Sequence, residues 1–519
     1  MKNILRFIKT GLILSVAAFS FAACSEDFMD EINRDLSVST NCDAKFIIPD
    51  LELRTAQNIV GGDFNTYFGS YVEYWAGTHN QLFKAENRDA EVRVASTFNN
   101  NWATIYENIR NGKLIIAKCA DDAEGTDAGD SFARGIGEIL LAYNLAIATD
   151  VFGDTPYTQV GDPTAFPYPE ADSQESIYKE VFSLLDAGIS DISGGSNSVG
   201  QYDLIFNGNS ARWIEFANGL KARYTMRLIN RSASKDADYA KVINLVDASF
   251  KSAATQASMP YDGSNQNPMF DFEWSRDGIS SCTSMYDKLM DRSDPRAERA
   301  YFGSGSWEHY SSESVVDYLA PTGEPEESQY VYAYDVFAFS ELAPVHYLSY
   351  HELQFIKAEA LVRLGRTAEA KEVLKGAVEA SFDNFEVNVA GAMDSPSINA
   401  YGGLEPLDSD PLTTVDADAY FDGTVAPLFD ADPLKETMLQ KYIGLWGANG
   451  ETVETYADIR RILSEGKGSI YGLINPGKLP LRCPYGQDDV VANPNIAKIY
   501  TDAGNYVFTE NVWWAGGAR

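Results

Sequence analysis

The sequence predicts an all-α fold on three observations. Apolar residues recur at helical spacing in several segments, one pair of segments forms a helical hairpin around a glycine, and long stretches rich in Gly, Pro, Ser, Asp and aromatics separate them without a sustained period. From Ile136 to Phe152, Ile136, Leu140, Tyr143, Ile147 and Val151 keep one face, while Gly137, Ala142, Ala146 and Ala148 lighten the flanks for close packing. Asp172 with Glu175 then reads as a capping-box start, and Ile177, Val181, Leu184, Leu185, Gly188 and Ile192 trace a buried stripe up to Gly194-Gly195. Ser210 is expected to cap a helix striped by Trp213, Phe216, Ala217, Leu220, Tyr224 and Leu228. Its Lys221, Arg223 and Arg227 suit the negative end of the helix dipole. Further helices are expected at Asn101–Ala120, Asp238–Ala253, Pro433–Leu445 and Thr455–Leu463.

The hairpin lies at Leu348–Ala380. Leu353, Ile356, Ala360, Leu361 and Leu364 line one helix, Gly365 takes a left-handed C-cap, Thr367 caps the next, and Ala370, Val373, Leu374 and Ala377 face back. The spacing from Gly365 to Ala377 resembles the tetratricopeptide turn, although any tight helical hairpin wants small residues there. Residues 257–345 and 381–432 read as loop-rich excursions packed on a helical scaffold, since loops this long in a compact protein are usually functional.

The N-terminus has a different logic. Lys2, Arg6 and Lys9 precede an apolar run from Gly11 to Phe21, and Phe21-Ala22-Ala23-Cys24 resembles a lipobox. Residues 1–23 are therefore expected to be a lipoprotein signal peptide, Cys24 to carry the lipid, and residues 24–519 to form a single domain. An ordinary secretory signal cut near Ala23 fits the same residues. A membrane-spanning helix fits less well, because Ser15 and Ser20 interrupt a short run and no later apolar run is long enough to span a bilayer.

Composition excludes some partners. With 41 basic and 75 acidic residues the formal charge is −34, and cleavage before Cys24 takes it to −37. Such a field repels phosphate backbones, so nucleic acid is not expected as a partner. Cys42, Cys119, Cys282 and Cys483 form no CxxC spacing, which removes zinc-knuckle and thioredoxin-like readings and favours buried free thiols. No cofactor is expected. Asp416, Asp418 and Asp422 with Gly423 offer oxygen ligands but miss the EF-hand spacing, so a calcium or other metal site is unsupported.

Several ordered blocks together resemble the SusD/RagB family of Bacteroidetes outer-membrane nutrient-binding lipoproteins, in its SusD-like branch. They are Asn101-Trp102-Ala103-Thr104-Ile105-Tyr106, the stretch from Ala142-Tyr143 through Thr149-Asp150-Val151-Phe152-Gly153-Asp154-Thr155-Pro156-Tyr157, and Trp213 to Lys221. Asp294-Pro295-Arg296, the Tyr350–Ala360 helix entry and Trp513-Trp514 continue the order. The resemblance implies a scaffold of tetratricopeptide-like helical pairs bearing a large loop-rich ligand-binding region. It implies capture of an oligosaccharide or peptide at the cell surface, and delivery to a SusC-type TonB-dependent porin. The outer membrane, facing the cell exterior, is the implied location, with the lipid at Cys24 as anchor. The acidic cluster after Cys24 resembles the surface-export signal of such lipoproteins. A solvated acidic tether would look the same.

Sugar recognition needs flat apolar faces together with amides, carboxylates or guanidinium groups. Two regions supply them. Tyr71, Tyr74 and Trp75 share a face if helical and are followed by Asn80 and Gln81, although an aromatic stripe of this kind is more often core. The second region holds Trp274, Trp307, Tyr310, Tyr330 and Tyr332, with Arg276 and Asp277 close by. Trp307 and Tyr310, in a Gly-Ser stretch with little core to join, are the strongest candidates for a stacking platform. Catalytic patterns are poor: four histidines are present, no HExxH or GxSxG motif occurs, and no enzyme is expected. An all-helical glycoside hydrolase using two carboxylates remains the alternative.

Overall fold

The computed structural model describes residues 42–301, 315–329, 331–404 and 410–519. The expected signal peptide, Cys24, Trp307, Tyr310 and Tyr330 lie outside them. Helix α1 (Ala44–Arg54) runs directly into a π-helical segment, Thr55–Val60, and Gly61-Gly62 turn the chain into α2 (Asp63–Tyr71). Next come α3 (Asn80–Glu86), α4 (Asn99–Lys118), α5 (Ser131–Phe152), α6 (Gln174–Gly194), α7 (Ser210–Arg227) and α8 (Lys235–Asp247). The remaining principal helices are α9 (Pro268–Arg276), α10 (Thr283–Met290), α11 (Tyr350–Arg363), α12 (Thr367–Met393), α13 (Thr414–Tyr420), α14 (Pro433–Gly444) and α15 (Thr452–Ser464).

Helices α4 to α8 pack each against the next, and α11 joins α8 to α12 and α14. The all-α expectation therefore holds, and Ala44–Arg519 is one compact unit. Small residues set the spacing: a Cβ on Gly188 of α6 would stand 2.7 Å from Ile139 and 3.0 Å from the Gly135 carbonyl of α5. Helix α5 is long and apolar enough to cross a membrane, contrary to expectation for any segment after the N-terminus. Its apolar window is nonetheless wholly buried by its neighbours. Gly365 adopts φ 71° between α11 and α12, as its place in the hairpin requires.

Helix starts fall one residue from the expected caps. Ser173, not Asp172, accepts from the Ser176 N–H, and Asn209, not Ser210, accepts from the Arg212 N–H. The capping residue must be extended, and in both places the expected cap stands on the wrong side of that residue. Thr367 is the first helical residue of α12, and no side chain caps that end.

The described residues of the excursion expected over 381–432 are largely helical. Helix α12 continues for 27 residues to Met393, burying Phe382, Phe385, Val389 and Ala392 at helical spacing. Buried Asn384 and Asn388 interrupt that stripe, and both donate to the Asn449 side chain, at 2.9 and 2.6 Å. The described residues of 257–345 are irregular apart from α9, α10, the short helix Arg296–Ala300 and short turns, and are stitched to the scaffold by two-stranded pairs. Ala76–Gly77 pairs with Ile279–Ser280, and Ala257–Met259 with Val345–Leu348.

The basic end of α7 is not a surface feature. Arg223 and Arg227 are buried, and Arg223 meets Glu352 of α11 at 2.5 Å while Arg227 meets Glu454 of α15 and, at 3.4 Å, Asp150 of α5. Arg461 continues the cluster with Glu359 at 2.7 Å and Asp458 at 2.9 Å, and Lys441 of α14 reaches Asp458 at 2.6 Å. Burial alone would raise the Asp458 pKa, but Lys441, Arg461 and Arg227 outweigh it and hold the carboxyl well below the usual range. Five helices are thus joined by buried charges. Arg296 binds Asp294 at 2.6 Å and stacks on Phe382. Cys119, Cys282 and Cys483 are buried free thiols.

Asp335 caps the turn Val336–Phe339, accepting from the Phe337 N–H at 3.1 Å, and burial pushes its pKa up to about 7. A raised carboxyl pKa gives stability that is complete below the unfolded value, near 3.9, and is lost as pH rises through the folded one. Asp335→Asn keeps the accepting oxygen and removes the titration. Urea unfolding is therefore expected to show the variant gaining on the parent protein between pH 5 and pH 8, and a constant difference across that range would refute the assignment.

Candidate functional site

Helix α9, Pro-Met-Phe-Asp-Phe-Glu-Trp-Ser-Arg, organises the candidate site. Asn267 caps it: its side-chain oxygen accepts from the Met269 N–H at 2.9 Å, and its amide donates to Ala343 and Ala448 carbonyls at 2.8 and 3.0 Å. Pro268 occupies the first turn, where a missing N–H costs nothing. Pro268, Met269, Phe270 and Glu273 face inward, leaving Asp271, Trp274, Ser275 and Arg276 outside and Phe272 half-buried. Asp277 ends the helix with φ 48°. Glu273 fixes the exit, accepting from the Gly278 and Ile279 N–H groups at 3.1 and 2.9 Å, and burial raises its pKa well above the usual range.

Two surfaces flank this helix. Trp274 stacks on Phe270 at 5.5 Å between ring centres and meets Tyr401 at 5.6 Å, and the two outer rings are 40% and 69% exposed. On another flank two clefts share Phe272 and Arg276. The first, about 390 Å³, is walled by His79, Asn80, Gln81, Lys84 and Glu91. The second, about 420 Å³, is walled by Gln57 and Asn58 of the π-helical segment, Asp63 at the start of α2, and Asn100 and Thr104 of α4. Single π turns recur at functional sites because they re-aim side chains out of helical register. The chain approaches α9 closely here: a Cβ on Gly61 would lie 2.6 Å from Pro268 Cγ.

Of the expected site residues, Trp274, Asn80 and Gln81 come together around α9. Asn80 is left-handed at φ 50°, and its N–H donates to Glu327 at 3.2 Å. Tyr332 is half-buried, its hydroxyl accepting from the Glu326 N–H at 2.9 Å. Tyr71, Tyr74 and Trp75 are corrected: all are core residues unavailable to a ligand. Tyr74 donates to the Tyr442 carbonyl at 2.5 Å, Trp75 donates to the Thr66 carbonyl at 2.9 Å, and Tyr71 lies under Arg88. Helix α2 ends at Tyr71, so these three rings do not form a single helical stripe. Trp307, Tyr310 and Tyr330 fall outside the described residues.

Other chemical groups are committed elsewhere. His346 and His351 are sealed in the core, bonded to Ser258 and Asn384 and to Glu451 respectively. Asp416 closes a capping box with Thr413, and Asp418 pairs with Lys375 at 2.8 Å. Among the described residues no group of three acidic, His or Cys side chains is arranged to hold a metal. A smaller apolar cavity of about 280 Å³ lies between α6, α7 and α8, lined by Tyr178, Phe182, Leu228 and Trp513.

Residues 37–486 match the SusD-like family described as "Starch-binding associating with outer membrane". A SusD/RagB family protein from Bacteroides thetaiotaomicron VPI-5482 is similar, with 40% identity and a TM-score of 0.86 over 92% of this chain and 100% of that one. A chitin-binding protein at 21% identity (TM-score 0.68) and a SusD homologue from Bacteroides fragilis NCTC 9343 at 15% (TM-score 0.69) share the fold, each over 91% of this chain and 100% of its own. No curated protein matches the sequence.

Proposed function

Because this chain belongs to the SusD-like family, we propose that it is a cell-surface binding subunit that captures an oligosaccharide along α9 and delivers it to a SusC-type TonB-dependent porin. In this reading the lipid at Cys24 tethers it to the outer membrane, facing outward, and the chain binds without catalysing a reaction. The observation that carries the reading is the pairing of exposed Trp274 and Tyr401 rings with two polar clefts that meet at Phe272 and Arg276. Aromatic faces take the C–H surface of a sugar ring, and amides and charged groups nearby satisfy its hydroxyls.

Trp274→Ala tests this. Titration calorimetry against an oligosaccharide that the protein binds should show affinity falling about 30-fold, the equivalent of ~2 kcal/mol for an interface anchor. The melting temperature should hold within a few degrees, since the indole is partly exposed. Unchanged affinity would remove α9 from the ligand surface.

A further inference from the structure

Many charged groups in the interior of this protein are ion-paired, as in the Arg461 and Arg223 clusters, and others, such as Glu273 and Asp335, are held by backbone N–H groups. The larger cleft beside α9 holds two charged side chains with neither kind of partner, one half-buried and one exposed. The Asp63 carboxylate and the Arg276 guanidinium both line it, and neither side chain makes a hydrogen bond or ion pair with any described residue or with the other. Asp63 is half-buried, and desolvation raises its pKa. A desolvated carboxylate without a partner is costly unless something brought to it supplies a donor. The side-chain amides of Gln57, Asn58 and Asn100 on the same wall are also unengaged, and half-buried Phe272 gives the cleft an apolar face.

We propose that this cleft is a subsite for an acetamido sugar, whose amide N–H donates to Asp63, whose carbonyl accepts from Arg276, and whose methyl packs on Phe272. This rests on the oligosaccharide-binding reading above. An amide presents its donor and its acceptor in opposite directions, so it is matched by a carboxylate and a guanidinium held apart from one another. A uronate would satisfy Arg276 but bring a second negative charge against Asp63 and Asp271. A plain hexose offers hydroxyls to both groups but no methyl to Phe272. A peptide bond has the same donor and acceptor, but the free amide side chains and the Trp274–Tyr401 surface suit a hydroxyl-rich ring.

Three probes separate these cases: triacetylchitotriose, cellotriose with the same linkage and no acetamido group, and an N-acetylated alanine tripeptide. Calorimetry with the purified protein should give at least tenfold tighter binding of triacetylchitotriose than of cellotriose. Arg276→Ala and Asp63→Ala should each narrow that preference to below threefold. Arg276 is exposed and unbonded, so its variant carries the test if the Asp63 variant melts early. Equal affinity for the two sugars, or a preference that survives both substitutions, would overturn the acetamido subsite while leaving the oligosaccharide reading in place. Binding of the tripeptide with neither sugar bound, or of none of the three, would overturn the subsite. In that case a broad glycan screen that also found no ligand would remove the oligosaccharide reading with it.

Discussion

Arg461→Met is expected to destabilise the protein by about 3–5 kcal/mol, the usual cost of removing one partner from a buried ion pair. Arg461 is fully buried and binds Glu359 through two nitrogens, at 2.8 and 2.7 Å, as well as Asp458 at 2.9 Å. The substitution keeps an unbranched apolar stem but removes the guanidinium, leaving Glu359 with only Arg363 at 3.2 Å and Asp458 with only Lys441 at 2.6 Å. Burial raises the Glu359 pKa, but Arg461 and Arg363 more than reverse this, leaving it below the usual value. A depressed carboxyl pKa contributes stability that is present above the unfolded value and lost as pH falls through the folded one. The deficit of the variant should therefore be largest near pH 7 and shrink toward pH 4, as Glu359, left with Arg363 alone, takes up a proton. Urea unfolding at the two pH values measures this. A loss below about 1 kcal/mol, typical of an exposed pair, would mean that water reaches the cluster and that it does not join the helices as described.

Trp75→Ala should cost a comparable ~3–5 kcal/mol, as for other buried Trp and Phe truncations. Its ring is 0% exposed and its Nε1–H is spent on the Thr66 carbonyl. The folded fraction should bind oligosaccharide as the parent protein does, because Trp75 lines neither cleft at α9. Trp274→Ala gives the opposite pattern, so the two tryptophans form a matched pair: one sets stability, the other affinity. Weakened binding with stability retained in the Trp75 variant would return the ligand to the first aromatic region.

Much of the scaffold is readable because a helix buried on one face must repeat every three to four residues, as α5, α6 and α11 do. The second half of α12 was hidden by Asn384 and Asn388, polar residues that belong to the buried stripe because Asn449 meets them. The ends of helices were legible to within a residue, since neighbouring Ser, Thr, Asp and Asn compete for one capping position. Arg223 and Arg227 suggested a dipole effect, whereas carboxylates more than a hundred residues away decide their place.

The site was legible only in part. Trp274, Asn80 and Gln81 announced themselves by residue type. Tyr71, Tyr74 and Trp75 did so equally, because an aromatic sequence looks the same whether it faces solvent or core. Asp63, Gln57 and Asn58 carried no local signal. They join Arg276 through the approach of Gly61 to Pro268, a contact across some two hundred residues of chain, and through a π turn that shifts the helical register. The Gly61-Gly62 pair beside the three consecutive asparagines Asn99–Asn101 is the nearest thing to a clue.

The most direct measurement is the position of bound sugar in crystals soaked with an oligosaccharide that the protein binds in solution. Density running along α9, against Trp274 and Tyr401 or into the clefts that meet at Phe272 and Arg276, is the expected result. Density confined to another surface, such as the apolar cavity beside Phe182 and Trp513, with the α9 surface empty, would contradict it.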